Sequence, residues 1–220
     1  MPEMSDLRLH DPLDGSAAVA MLGGEIGTLG CFVRIDGRLY ILGSAHVLAG
    51  GSAIASDRRI FQPPARQNDA RVVGGLYQDT TPVKDNRTWN EVDAALALVG
   101  KGVKIDPSIG YLGRPEPFRT DIGEGEVVRI HGAGSGRVTE GLVQQLNDTT
   151  PVDYGTGIAL FRGIVRCEPY GVPGDSGAAV LDSNRHVVGV HLCGTDTHSW
   201  FCPISAIRDR WPAMELVSHL

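Results

Sequence analysis

The sequence predicts an all-β protein, and three observations predict it. Gly occurs 29 times and Pro 13 times in 220 residues, a supply of turn formers that short strands need and long helices would not tolerate. Short apolar runs recur along the chain between these breakers. The clearest local signal is Cys31-Phe32-Val33-Arg34-Ile35, then Asp36-Gly37, then Arg38-Leu39-Tyr40-Ile41-Leu42. Two strand-like runs joined by the dipeptide that a type I′ turn favours predict a β-hairpin.

Taken in order, this hairpin delivers His46 at its end, and Val72–Leu76 and Ala94–Val99 predict further strands. Lys101–Thr120, with three Pro after Asp106, reads as a connector. Glu126–Ile130, Arg137–Leu146, Ile158–Arg166, Ala178–Asp182 and Val187–Leu192 supply a second group of strands, and Ile204–Trp211 forms a short terminal helix stopped by Pro212. Gly132-Ala133-Gly134-Ser135-Gly136 lacks the Lys and the strand-to-helix setting of a phosphate loop, so it reads as a glycine-rich hairpin. A chain of this length with 42% hydrophobic residues buries a sizeable core and suits one compact unit.

The chemistry lies in three separated segments: Ser44-Ala45-His46-Val47-Leu48, Asn90-Glu91-Val92-Asp93-Ala94-Ala95 and Gly174-Asp175-Ser176-Gly177. A serine hydroxyl is a poor nucleophile until an imidazole takes its proton. The imidazole in turn needs a buried carboxylate to fix its tautomer and stabilise the imidazolium. The order His, Asp, Ser discriminates among folds that build this triad, because subtilisins begin with Asp and α/β-hydrolases with Ser. The α/β-hydrolase elbow also requires G-x-S-x-G, and Ala178 stands where the last Gly belongs. Asp85 and Asp106 lie in polar stretches with no apolar strand after them, so Asp93 is the acid.

At these motifs the chain resembles the trypsin-like (chymotrypsin-fold) serine peptidases, from about Gly27 to Ile207, and most nearly the standalone bacterial-type members. Val188-Gly189-Val190-His191-Leu192-Cys193-Gly194 is similar to the strand on which such enzymes lay the substrate backbone. The resemblance implies one peptidase domain over residues 1–220, made of two six-stranded antiparallel β-barrels and a short C-terminal helix. Its parts would be a first barrel over about 25–104, a connector over about 105–120, a second barrel over about 121–207 and the helix over about 204–211. It implies a serine endopeptidase that acts on protein or peptide substrates through an acyl-enzyme, with His46 as base, Asp93 as orienting acid and Ser176 as nucleophile. The N–H groups of Gly174 and Ser176 would form the oxyanion hole, and no cofactor or metal is implied. A catalytically idle trypsin-fold binding module is the alternative, since fold does not fix function.

Two departures from the family matter. Digestive members become active when cleavage after a basic residue frees an amino group that pairs with the Asp before the Ser, here Asp175. The nearest counterpart, Met21-Leu22-Gly23-Gly24, follows Ala20 and offers no basic site, so competence without that switch is expected. Secreted relatives also pair a Cys next to the catalytic His with one upstream. Val47 holds that position, which leaves Cys31 without this partner, while Cys193 and Cys202 are close enough in sequence to bridge a loop.

The resemblance places the pocket for the residue before the scissile bond at Tyr170, Gly171 and His191-Leu192-Cys193-Gly194. A basic-specific enzyme would carry Asp where Tyr170 stands. Val190–Gly194 instead is similar to the segment of glutamyl endopeptidases and picornaviral peptidases whose His contacts Glu or Gln, although those relatives add Ser or Thr at Gly171. The competing reading packs His191 beneath the pocket. His191, Cys193, His198 and Cys202 are zinc-ligand types, but their spacing matches no standard pattern and no metal site is assigned. The net charge of −6 gives no electrostatic reason for nucleic acid or anionic membrane as partner. No apolar run approaches the ~20 residues of a membrane span, and MPEMSDLRLHDPLDG lacks the basic start and apolar core of a leader. A cytoplasmic protein, or a processed fragment, is expected.

Overall fold

The computed structural model describes residues 5–50, 57–64 and 69–219. Residues 1–4, where the leader reading begins, lie outside them. The first half of the chain forms β1 (Ala18–Met21), β2 (Gly27–Thr28), β3 (Cys31–Ile35), β4 (Arg38–Gly43), a one-turn helix α1 (Ala45–Leu48), β5 (Arg59–Gln62), β6 (Arg71–Asp79), β7 (Trp89–Asn90) and β8 (Ala95–Val99). The second half forms β9 (Val127–His131), β10 (Val138–Asp153), β11 (Ile158–Cys167), β12 (Ala179–Asp182), β13 (Val187–Gly194), β14 (Ser199–Pro203), α2 (Ile204–Arg210) and β15 (Glu215–Leu216). No helix among the described residues is long and apolar enough to cross a membrane.

The β3–β4 hairpin follows from its turn. Asp36 and Gly37 have φ of 48° and 75°, the left-handed pair a type I′ turn demands. The turn fixes the register Cys31↔Leu42 to Ile35↔Arg38, which puts Phe32 and Ile41 on one face and Cys31, Val33, Tyr40 and Leu42 on the other.

One sheet runs β15-β3-β4-β8-β6-β5-β1-β2 and the other β10-β9-β12-β13-β14-β11-β7, with β10 also pairing β11. The second sheet thus closes into a ring of six strands, as expected. The first does not close. Among the described residues its six main strands are edged by the two-residue β2 and β15, and in β2 the Thr28 N–H donates across to Ser176 C=O at 2.8 Å. The sheets also exchange strands. The early β7 pairs in parallel with β11, and the late β15 pairs with β3.

Three cores result. One fills the first sheet's concave side with Phe32, Ile41, Ile60 and Val73. A second fills the ring with Val128, Ile130, Val180 and Phe201. A third joins the two through Leu42, Leu96, Leu181, Val190 and Cys202. Strand β12, Tyr40–Gly43 of β4 and Ala95–Ala97 of β8 therefore bury both faces, which is why they read as unbroken apolar runs; each fully buried Leu, Ile or Phe contributes ~1.5–3 kcal/mol. The functional side chains lie along the seam of the third core.

Candidate active site

Asp93, 1% exposed, enters this seam immediately before β8. Its Oδ1 accepts the backbone N–H of Ala45 at 2.7 Å and of His46 at 3.0 Å. The carboxylate thus occupies the N-terminal end of α1, where a helix leaves donors unsatisfied. Its Oδ2 accepts from His46 Nδ1 at 2.6 Å. Burial alone would raise the Asp93 carboxyl, but the charge of His46, its hydrogen bond and one from Tyr154 hold it below its ordinary value. Burial would lower His46, and the Asp93 charge and hydrogen bond outweigh it, so the imidazole sits above its ordinary value. With the Nδ1 proton tied to Asp93, Nε2 is the free basic nitrogen.

The Gly174–Gly177 loop is strapped to the same place. Thr28 Oγ1 donates to Gly174 C=O at 2.8 Å and accepts the Ala133 N–H at 2.9 Å. The Gly177 N–H donates to His191 C=O at 3.0 Å, and a Cβ built on Gly177 would stand 3.2 Å from the nitrogen of Ser44, two residues before His46. Gly174 has φ 97°, open to glycine and strained for other residues. The N–H of Asp175 is spent on Val172 C=O, whereas among the described residues the N–H groups of Gly174 and Ser176 have no protein acceptor. Two such donors flanking one peptide can receive an oxyanion. The Ser176 hydroxyl donates to Leu192 C=O at 3.3 Å, and no hydrogen bond joins it to His46 in this conformation.

Asp175 is wholly buried. Its Oδ1 accepts the Ser135 N–H at 2.8 Å and the Ser135 hydroxyl at 3.2 Å, and its Oδ2 accepts the Val172 N–H at 3.0 Å. Burial raises this carboxyl above its ordinary value, against the pull of these neutral donors. The glycine-rich segment Gly132–Gly136 is therefore the cradle of Asp175, with Gly132 packed so close that a Cβ there would overlap the carboxylate.

On the other side of Ser176, Tyr170 and His191 are buried together, with Tyr170 OH 3.3 Å from His191 Nδ1. Burial, and then the nearby His46, push His191 down to about 3, so the ring is neutral near neutrality. A Cβ on Gly171 would overlap the His191 ring at Nε2; the Ser or Thr of the relatives has no room here. Ser199 Oγ accepts the N–H groups of both Tyr170 and Gly171, at 3.0 and 3.1 Å. The four cysteines are free thiols. Cys193 pairs across the sheet with Trp200, Cys202 turns its Sγ to the Asp93 N–H at 3.4 Å, and His198 is half-buried with its ring against Trp200.

Thr28, Ser135, Tyr154, Ser199 and Cys202 thus support the site without having been singled out for it in the sequence. Only Ser135 lay in a segment whose glycine density drew notice.

No protein-family model matches the sequence, and no curated protein does. Solved structures do match over nearly the whole chain. A glutamic acid-specific serine protease that uses a histidine triad in substrate binding is 18% identical, with TM-score 0.69 over 93% of this chain and 100% of that one. Protease A of Thermobifida fusca is 19% identical, with TM-score 0.68 over 96% and 100%. A chymotrypsin of Cellulomonas bogoriensis is 20% identical, with TM-score 0.64 over 96% and 100%. The fold is that of the bacterial chymotrypsin-type serine proteases. Within it the chain places a single histidine, His191, behind Gly171 and backs it with Tyr170.

Proposed function

We propose that the chain is a serine endopeptidase working through His46, Asp93 and Ser176. The observation that carries this is the buried 2.6 Å contact of His46 Nδ1 with Asp93, set against a serine loop with two unengaged N–H groups. In the reaction, Ser176 turns from Leu192 C=O to His46 Nε2, gives up its proton there, and attacks the substrate carbonyl. The oxyanion is received by the N–H groups of Gly174 and Ser176. His46 then protonates the leaving amine, and a water deprotonated by His46 releases the acid product. The alternative of an idle binding module would need the serine locked. Its resting bond to Leu192 is a neutral one worth ~1 kcal/mol, too little to hold it from turnover.

The pocket supports a preference for Glu or Gln before the scissile bond. If Tyr170 donates to His191 Nδ1, the His191 proton sits on Nε2, beside the bare Gly171, where it can meet a side-chain oxygen. No carboxylate stands at Tyr170 to receive Lys or Arg. Labelling by a fluorophosphonate probe tests the reading: stoichiometric reaction in the native chain and none in Ser176→Ala is expected. An unlabelled native chain would remove it. Activity should rise with pH through a limb above about 6.5, because His46 must be unprotonated and Asp93 holds it above that ordinary value.

A further inference from the structure

The carboxylate of Asp93 has a second charge-sharing partner that comes from the other sheet. Tyr154, in the turn between β10 and β11, donates its hydroxyl to Asp93 Oδ2 at 2.7 Å, the same oxygen that takes His46 Nδ1. Its ring lies edge-on to His46, with centroids 5.3 Å apart. The turn is tied down from both sides. The Tyr154 N–H bonds Gly157 C=O at 3.1 Å, and the Gly155 N–H bonds Asp153 Oδ1 at 2.7 Å. From the loop before β7, the Asn86 N–H bonds Ile158 C=O, and Lys84 Nζ bonds Thr156 Oγ1 at 3.0 Å while standing 4.5 Å over the Tyr154 ring.

We infer that Tyr154 is a positioning residue for the proton-transfer pair: its hydroxyl fixes the rotation of the Asp93 carboxylate and takes part of the charge on Oδ2. This rests on the serine-peptidase reading for its consequence in catalysis, but not for its geometry. An oxygen that accepts two strong donors holds each less tightly than it would hold one. Removing the phenol O–H leaves the full charge on the His46 side. The imidazolium is then stabilised further, and the carboxylate gains freedom to rotate. The other ionisable groups facing the pair are Glu25 after β1, Lys84 before β7, His191 and Cys193 of β13, and Cys202 of β14. None of them donates to Oδ2 among the described residues. Burial and the Asp93 charge push the Tyr154 hydroxyl far above its ordinary value, so it remains a donor at all working pH.

Tyr154→Phe keeps the ring against His46 and deletes the donor. The acid limb of kcat/KM should move up by about one pH unit, and kcat at the plateau should fall ~10-fold with KM within about twofold. Titration of the His46 ring by NMR reads the same shift without substrate, and Tyr154→Ala, which also removes the ring, should show it too. A Tyr154 that merely fills space would leave the Phe variant titrating with the native protein, and that result overturns the inference. Failure of the fluorophosphonate test removes the peptidase reading instead, while the NMR titration still decides the role of Tyr154.

Discussion

Asp93, bonded to His46, and Asp175, the residue before Ser176, are both buried to 1% exposure or less. They are held in opposite ways. Asp93 meets an ionisable partner, a phenol and two backbone N–H groups, and its carboxyl is drawn below its ordinary value. Asp175 meets the Ser135 and Val172 N–H groups and a serine hydroxyl, all neutral, and burial lifts it above its ordinary value. Equal burial thus gives opposite shifts, and the sign is set by whether a charge faces the carboxylate. The first arrangement suits a group that must stay ionised to serve a base. The second suits a strut, in which donors aimed at the carboxylate fix the shape of the Gly174–Ser176 peptides.

Removing the charged side should have the largest effect. Ser176→Ala, His46→Ala and Asp93→Asn are each expected to lower turnover by ~10⁴ or more, with far-UV circular dichroism unchanged. Retained cleavage in Ser176→Ala would end the proposed mechanism.

The neutral side should break differently. In Gly132→Ala the new methyl overlaps the Asp175 carboxylate, so the cradle must part from it and the two N–H groups proposed to receive the oxyanion lose their aim. Losing one such donor costs ~10²–10³ in turnover, and a fall of at least ~10² is expected. The His46 titration should be that of the native protein, because Asp93 is untouched. A shifted His46 would mean that the two carboxylates are not independent.

The neutral partnership recurs at His191, and it makes a prediction about specificity. With the ring neutral, a carboxylate brought into the pocket loses water without gaining a cation, whereas an amide loses less. Cleavage after Gln should therefore match or exceed cleavage after Glu, and both should exceed Lys by ~10-fold or more. Peptide profiling with His191→Ala as the control measures this. A strong Glu preference would require His191 to be protonated in the complex.

The sequence is most readable where a local signal fixes geometry. Asp36-Gly37 sets its own hairpin, and the apolar runs at Ala95–Val99 and Val187–Gly194 need no partner to be recognised as strands. It is least readable where the determinant is a distant acceptor. Tyr154 lies in an Asp-Tyr-Gly-Thr-Gly turn whose composition speaks of a turn, and its partner is 61 residues away. Ser135 reaches Asp175 across 40 residues. The two-residue strands β2, β7 and β15 carry no periodicity at all, and β10 runs on through Asn147 by register shifts between Val143 and Thr149 that pattern alone does not reveal. The hydrogen bond from the Thr28 N–H to Ser176 C=O, across the two halves of the chain, belongs to the same class.

The smallest expected effect tests the comparison most directly. A carboxyl whose folded value is lowered, as at Asp93, stabilises the fold above its unfolded value of about 3.9, and that contribution is lost as pH falls through the folded value. A carboxyl whose folded value is raised, as at Asp175, favours the fold below about 3.9 in its protonated form, and that contribution is lost as pH rises through the folded value. Ser135→Ala deletes a bond that the ionised Asp175 uses. Its penalty should be ~1 kcal/mol at neutral pH and should fade on acidification while still above about pH 3.9. The penalty of Asp93→Asn should persist to that point and fade only below it. Urea unfolding of the three proteins across this range separates the two windows. If both penalties fade together, the two buried carboxylates do not differ in the way their partners imply, and the distinction between a carboxylate faced by a charge and one faced by neutral donors falls.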